Sequence, residues 1–108
     1  MNLIAVAGDP VLTTVNPKHK CNPGTTCAPV GPNLTVTVGG IPAVVFGHTT
    51  ASHTYEVGDK CLPHVAALNL PISTVLIGGV PVAKVLDTFA SPCGGQITKG
   101  QNFTVFAD

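Results

Sequence analysis

Leu34 to Pro42 reads LTVTVGGIP. The pattern returns at Ser73 to Pro81 as STVLIGGVP and, shortened, at Phe103 to Asp108 as FTVFAD. Aligned on their Thr-Val pairs, Val36, Val75 and Val105 are equivalent, 39 and then 30 residues apart. Repetition at this period marks a supersecondary unit too small to bury its own apolar face, so neighbouring copies must complete the core. β-branched runs flanking Gly39-Gly40 and Gly78-Gly79 predict hairpins, because paired glycines supply the positive φ that a two-residue turn needs. Within TVTV, Val36 and Val38 share one face and Thr35 and Thr37 the other, and the valine face is expected to point inward. Pro42 and Pro81 come just after the turn, where a missing N–H does least harm to a strand.

Outward from these hairpins, AVAGD at Ala5 to Asp9 aligns with VVFGH at Val44 to His48 and with KVLD at Lys84 to Asp87. The chain therefore begins with the second half of a unit and ends with the first half of one. A closed ring of three units, with the C-terminal strand pairing beside the N-terminal one, accounts for both truncations. The expected fold class is all-β, one domain over residues 1–108. The links are long and rich in Gly and Pro: Val11 to Asn33, and His48 to Leu70, where His64 to Asn69 offers a short helix as the one helical alternative. Links of that length inside a compact domain are expected to be functional or cross-linked.

Composition agrees with a turn-rich β domain. Of 108 residues, 44% are hydrophobic and 9% charged, and the 12 Gly and 10 Pro are spread between strand-like runs rather than gathered in a tail. Five basic residues balance five acidic ones. That balance argues against nucleic acid and against an anionic membrane surface, both of which call for a basic face, and suits a flat, uncharged protein partner. MNLIAVAGDP lacks the basic start and long apolar core of a signal peptide. Synthesis as a soluble cytoplasmic protein, with any export by a non-standard route, is the expectation.

Four Cys and four His in so short a chain suggest metal ligation. Links leave the ring at equivalent places after Asp9, His48 and Asp87. His19, His53 and Cys93 follow ten, five and six residues later, so the pseudo-threefold register brings them toward one point. The link feeding the third hairpin offers His64, with Cys61 three residues earlier as competitor. Three imidazoles and one thiolate form a closed tetrahedral set suited to a structural zinc ion. His48 stands where the other copies have Asp, which marks it as a turn residue rather than a ligand. A Cys21–Cys27 disulfide is the alternative use of two thiols. No nucleophile elbow, His-Glu-x-x-His or phosphate loop is present, so catalytic residues are not expected.

The run STVLIGGVPVAKVLD followed by SPCGGQITKGQNFTVF resembles the PAAR-repeat proteins, and the likeness covers essentially the whole chain. Pro81-Val82-Ala83-Lys84 stands at the eponymous four residues, and Pro42-Ala43-Val44-Val45 is a more degenerate copy. The resemblance implies a small conical domain of three pseudo-threefold β-hairpin repeats that caps the trimeric β-helical spike of a type VI secretion system or of a contractile phage tail. It implies one zinc ion at the point, held by His19, His53, His64 and Cys93, and no enzyme activity. The base, carrying Val36, Val38, Val75, Ile77 and Val105, would bind the trimeric spike protein. Effector proteins and transient contact with a target membrane are further implied partners. A zinc-dependent hydrolase acting on the cell envelope and a small disulfide-linked binding module are the rival classes.

Overall fold

The computed structural model describes residues 2–12, 25–57, 60–90 and 95–108. Among them the protein is all-β, without a helix, in short antiparallel strands. No helix of the described residues is long and apolar enough to cross a membrane. His64 to Asn69, the helical alternative, instead continues from a strand into bridges at Ala67 and Leu68.

Three strand pairs form the base. Strand β4 (Thr37–Val38) pairs with β5 (Ile41–Pro42), and β8 (Leu76–Ile77) with β9 (Val80–Pro81). The third pair joins the ends of the chain, β1 (Asn2–Leu3) with β11 (Phe106–Ala107). Register makes the pairs equivalent, with Thr37↔Pro42, Leu76↔Pro81 and Leu3↔Phe106 in matching places. The permuted repeat thus closes as its two half units require. Both central glycines of each hairpin have positive φ, near 60° and 83°, the signature of the primed turn whose twist suits a hairpin.

Above the base, a tier of three segments closes on itself. Bridges run from Val6 to Ala43, from Val45 to Val82 and from Lys84 back to Ile4. At its centre Ala5 N donates to Ala83 O, Ala83 N to Val44 O and Val44 N to Ala5 O, at 2.8–2.9 Å. A ring has no unpaired edge and so offers no template for pairing with another chain. The small residues Ala5 and Ala83 let three backbones approach the axis this closely.

Each segment then turns. Asp9 N donates to Val6 O, His48 N to Val45 O and Asp87 N to Lys84 O, at 3.0–3.1 Å. The residue before Asp9, His48 and Asp87 has positive φ in every unit: Gly8 at 86°, Gly47 at 102° and Leu86 at 86°. Leu86 is strained there, since a leucine in this region costs about 1–2 kcal/mol.

A second tier has six segments, again closed. Strand β2 (Pro10–Leu12) lies between β3 (Thr25–Thr26) and β10 (Gln96–Ile97). Bridges Cys27↔Thr50, Thr49↔Ala67, Leu68↔Phe89 and Thr88↔Gln96 carry the pairing around to β10. Beyond this tier extends one hairpin among the described residues, β6 (His53–Val57) with β7 (Lys60–His64).

Two apolar clusters hold the stack. Ile4, Ala43, Val45, Val82 and Ala107 join the base to the first tier. Val11, Cys27, Ala66, Leu68, Phe89 and Ile97 join the axial Ala5, Val44 and Ala83 to the second. The result is elongated, 42 × 23 × 21 Å.

Candidate functional site

The two ends of the stack carry the residues singled out by sequence. At the far end, His53 opens β6 and His64 closes β7, and they are direct partners across the hairpin. Side chains of such a pair share one face, with Cβ atoms about 4.5–5.5 Å apart. His53 is buried and His64 half-buried. His53 Nδ1 lies 3.0 Å from the Ala51 carbonyl and 3.5 Å from Thr50 Oγ1. A carbonyl only accepts, so Nδ1 carries the proton and Nε2 is the ring nitrogen that keeps a lone pair. Two imidazoles on one face, one fixed in its tautomer by a carbonyl, suit a nitrogen-ligated divalent metal.

His19 and Cys93, the other two expected ligands, lie outside the described residues. Among the described residues no group of three His, Cys, Asp or Glu side chains comes together. The competitor Cys61 is exposed on β7 and is disulfide-bonded, so it offers no thiolate in this state. Its partner lies outside the described residues. Cys27 is a free thiol in the core, which corrects the Cys21–Cys27 bridge. Burial, with the nearby Asp9 charge, pushes its pKa up to about 12, so it is an inert apolar side chain. The thiol faces inward because Cys27 is paired within the second tier, to Asp9 and Thr50.

His48 takes the turn position expected of it, but its side chain works differently from those of Asp9 and Asp87. Those two carboxylates accept from the main chain three residues back, at Val6 N and Lys84 N, each 2.8 Å. The His48 ring instead donates from Nε2 to Ala28 O at 2.8 Å, lies against Gly31, and is 1% exposed. Its Nδ1 has no hydrogen-bond partner among the described residues, and burial lowers its pKa.

At the base the expected docking residues divide into two sets. Val36, Val75 and Val105 are 44%, 37% and 40% exposed, the same in all three units. Val38 and Ile77 are half-buried, packed on the cluster below the first tier. The valine face is therefore not simply inward: strands start at Thr37 and Leu76, so Val36 and Val75 precede the pairing and stay outside. Asn33 fixes this bend. Its Nδ2 donates to Val36 O and Ala43 O, and its Oδ1 accepts from Val36 N. Asn102 does the same with Val105 O, Ile4 O and Val105 N. Ile72 replaces it in the third unit, where Lys84 Nζ donates to the Ile72 carbonyl. Asn three residues before the valine in two copies was the visible signal of this bend.

Between neighbouring base hairpins run grooves that the repeats alone did not announce. One of about 590 Å³ lies between Asn33-Leu34-Thr35 and Ile77-Gly78. Its counterpart, about 220 Å³, lies between Asn102-Phe103-Thr104 and Val38-Gly39. These lining residues are equivalent under the repeat, so two of the units meet their neighbours across matching grooves of unequal size. Apolar side chains rim it, among them Leu34, Leu76, Phe103 and Phe106, all more than half exposed or at half. No protein-family model matches the chain, and no curated protein does.

Proposed function

We propose that this chain is the tip of a contractile injection machine, as its resemblance to the PAAR-repeat proteins implies. One copy caps the threefold end of a trimeric spike, and a zinc ion pins the opposite end. The observation that carries the reading is the base: three strand pairs in matching register, each presenting an equivalent exposed valine, on a single chain. A monomer gains from such symmetry when it must bind three identical chains at once. Little charge is available there, so apolar burial and shape supply the affinity.

In the same reading His53 and His64, with His19 and Cys93, hold zinc, which adds folding free energy to an end with little apolar core. The ion would be structural, since four protein ligands leave no open position for a substrate. Force from contraction is then delivered through a narrow, cross-linked point to the target envelope.

The test is native mass spectrometry of the chain mixed with a trimeric β-helical spike protein. One copy per trimer is expected. Val36→Asp, Val75→Asp and Val105→Asp should each abolish capping while leaving the melting temperature unchanged, because these side chains are already exposed. Three copies per trimer, or capping indifferent to all three changes, would refute the proposal.

A further inference from the structure

The third unit departs from its two sisters at three places on one side, and each departure adds an exposed aliphatic side chain. Leu70 stands where the other units have Gly31 and Gly100, Ile72 where they have Asn33 and Asn102, and Leu86 where they have Gly47 and Gly8. The three are 67%, 89% and 52% exposed. Two of these exchanges cost stability. Ile72 has no side-chain group to fasten the bend as Asn33 and Asn102 do, and Leu86 sits at φ 86°, a backbone conformation that favours glycine. Side chains left in water gain little from burial, so nothing within the chain offsets either cost.

The three lie together. Asn69 N and Nδ2 donate to Thr88 O and Oγ1 at 3.0 and 2.9 Å, and Lys84 Nζ donates to Ile72 O at 2.6 Å. Tied at both ends, the link 69–72 runs beside 84–88 and carries Leu70, Ile72 and Leu86 on the wall between base and second tier. Lys84 is a fourth departure. Val6 and Val45, its counterparts in the closed tier, are buried, whereas the lysine reaches the surface. The neighbouring Asp87 carboxylate accepts from the Lys84 main-chain N–H, and among the described residues no carboxylate pairs with Nζ. A cation without a counter-charge, framed by exposed aliphatic side chains, is complementary to a carboxylate carried on an apolar segment.

We propose that this wall is a side-on docking site for a partner protein, which lays an apolar segment bearing a carboxylate against it. The carboxylate meets the Lys84 ammonium, and its apolar neighbours cover Leu70, Ile72 and Leu86. Apolar contact supplies the affinity, since an exposed ion pair adds little, and the lysine selects and orients the segment. Because the other two units carry glycine and asparagine at these places, one chain offers one such site. Neither the spike reading nor the zinc reading is required for it.

The experiment titrates the ¹⁵N-labelled full chain with the blocked peptide acetyl-Val-Leu-Asp-Leu-Val-amide, and with its Asn analogue, at millimolar concentration. Shift changes are expected at Leu70, Ile72, Lys84 and Leu86, with the Asn peptide bound about two- to fivefold more weakly. Ile72→Asn and Leu86→Gly install the residues of the sister units, so each should hold or raise the melting temperature while weakening binding about fivefold or more. Lys84→Val should make the chain bind both peptides equally. Shifts that are absent or lie elsewhere, or equal binding of both peptides by the wild type, would overturn the proposal. So would a dimer in analytical ultracentrifugation that Ile72→Asn dissolves, because the wall would then join two copies of this chain.

Discussion

Placing a methyl group at Gly31 tests how the second unit is locked, and the structure gives the size of the effect. A Cβ there would stand 2.0 Å from His48 Nδ1, 2.4 Å from Cε1 and 2.9 Å from Cγ. The ring must move by more than an ångström, yet it is 1% exposed and tied by Nε2 to Ala28 O at 2.8 Å. Breaking that bond in a buried setting costs about 1–3 kcal/mol, and overpacking adds about 1–3. The gain from restricting the unfolded chain, about 0.4–1 kcal/mol, offsets part of this. Gly31→Ala should therefore destabilise by about 2–5 kcal/mol, a fall in melting temperature of roughly 8 °C or more. In a His48→Ala background the space is vacated, and the same change should cost less than about 0.5 kcal/mol. Urea unfolding of the four proteins at pH 8, above the histidine range, measures the coupling. Additivity within about 0.5 kcal/mol would show that ring and glycine do not share the space assigned to them.

Three other perturbations have definite outcomes. Burial lowers the His48 pKa, so below about pH 6.5 the unfolded chain takes up a proton that the folded one refuses. Stability present above pH 6.5 should therefore fall on acidification, by up to about 1.4 kcal/mol per pH unit, and His48→Asn should show a shallower slope in pH-dependent denaturation. Asp9 is fully buried and accepts from Val6 N, Gln101 N and Gln101 Nε2, joining residues 92 apart, whereas Asp87 accepts from Lys84 N. Calorimetry should give a loss of about 3–5 kcal/mol for Asp9→Ala and about 1 for Asp87→Ala, and equal losses would contradict the clasp. Zinc should raise the melting temperature of the chain and chelation lower it, with His53→Ala insensitive to both. Because Cys61 is disulfide-bonded, the measurement is made on reduced and oxidised protein. A melting temperature unchanged by chelation in both would overturn the zinc proposal.

The sequence determined the ring. A pattern repeated at Val36, Val75 and Val105, with half units at both ends, requires the termini to pair, and Asn2–Leu3 does pair with Phe106–Ala107. Paired glycines located the turns, since that backbone geometry belongs to glycine and is set locally. Register within the repeat put His53 forward and the link feeding the third hairpin offered His64, and the two meet as cross-strand partners.

Tertiary structure alone decided which side chains the ring consumes. Strands of two residues carry too little periodicity to tell an inner from an outer valine, so Val36 stayed outside while Val38 packed below the first tier. His48 looked like a substitute for a turn aspartate, but its ring left that role to bond Ala28 across the tier, a contact made by chain 20 residues away. Cys27 went into the core for the same reason: pairing with Asp9 and Thr50, not its sequence neighbours, turned the thiol inward. Local sequence fixes turns because they depend on a few dihedral angles. Burial depends on which segments closure brings together, and no segment of this chain encodes that by itself.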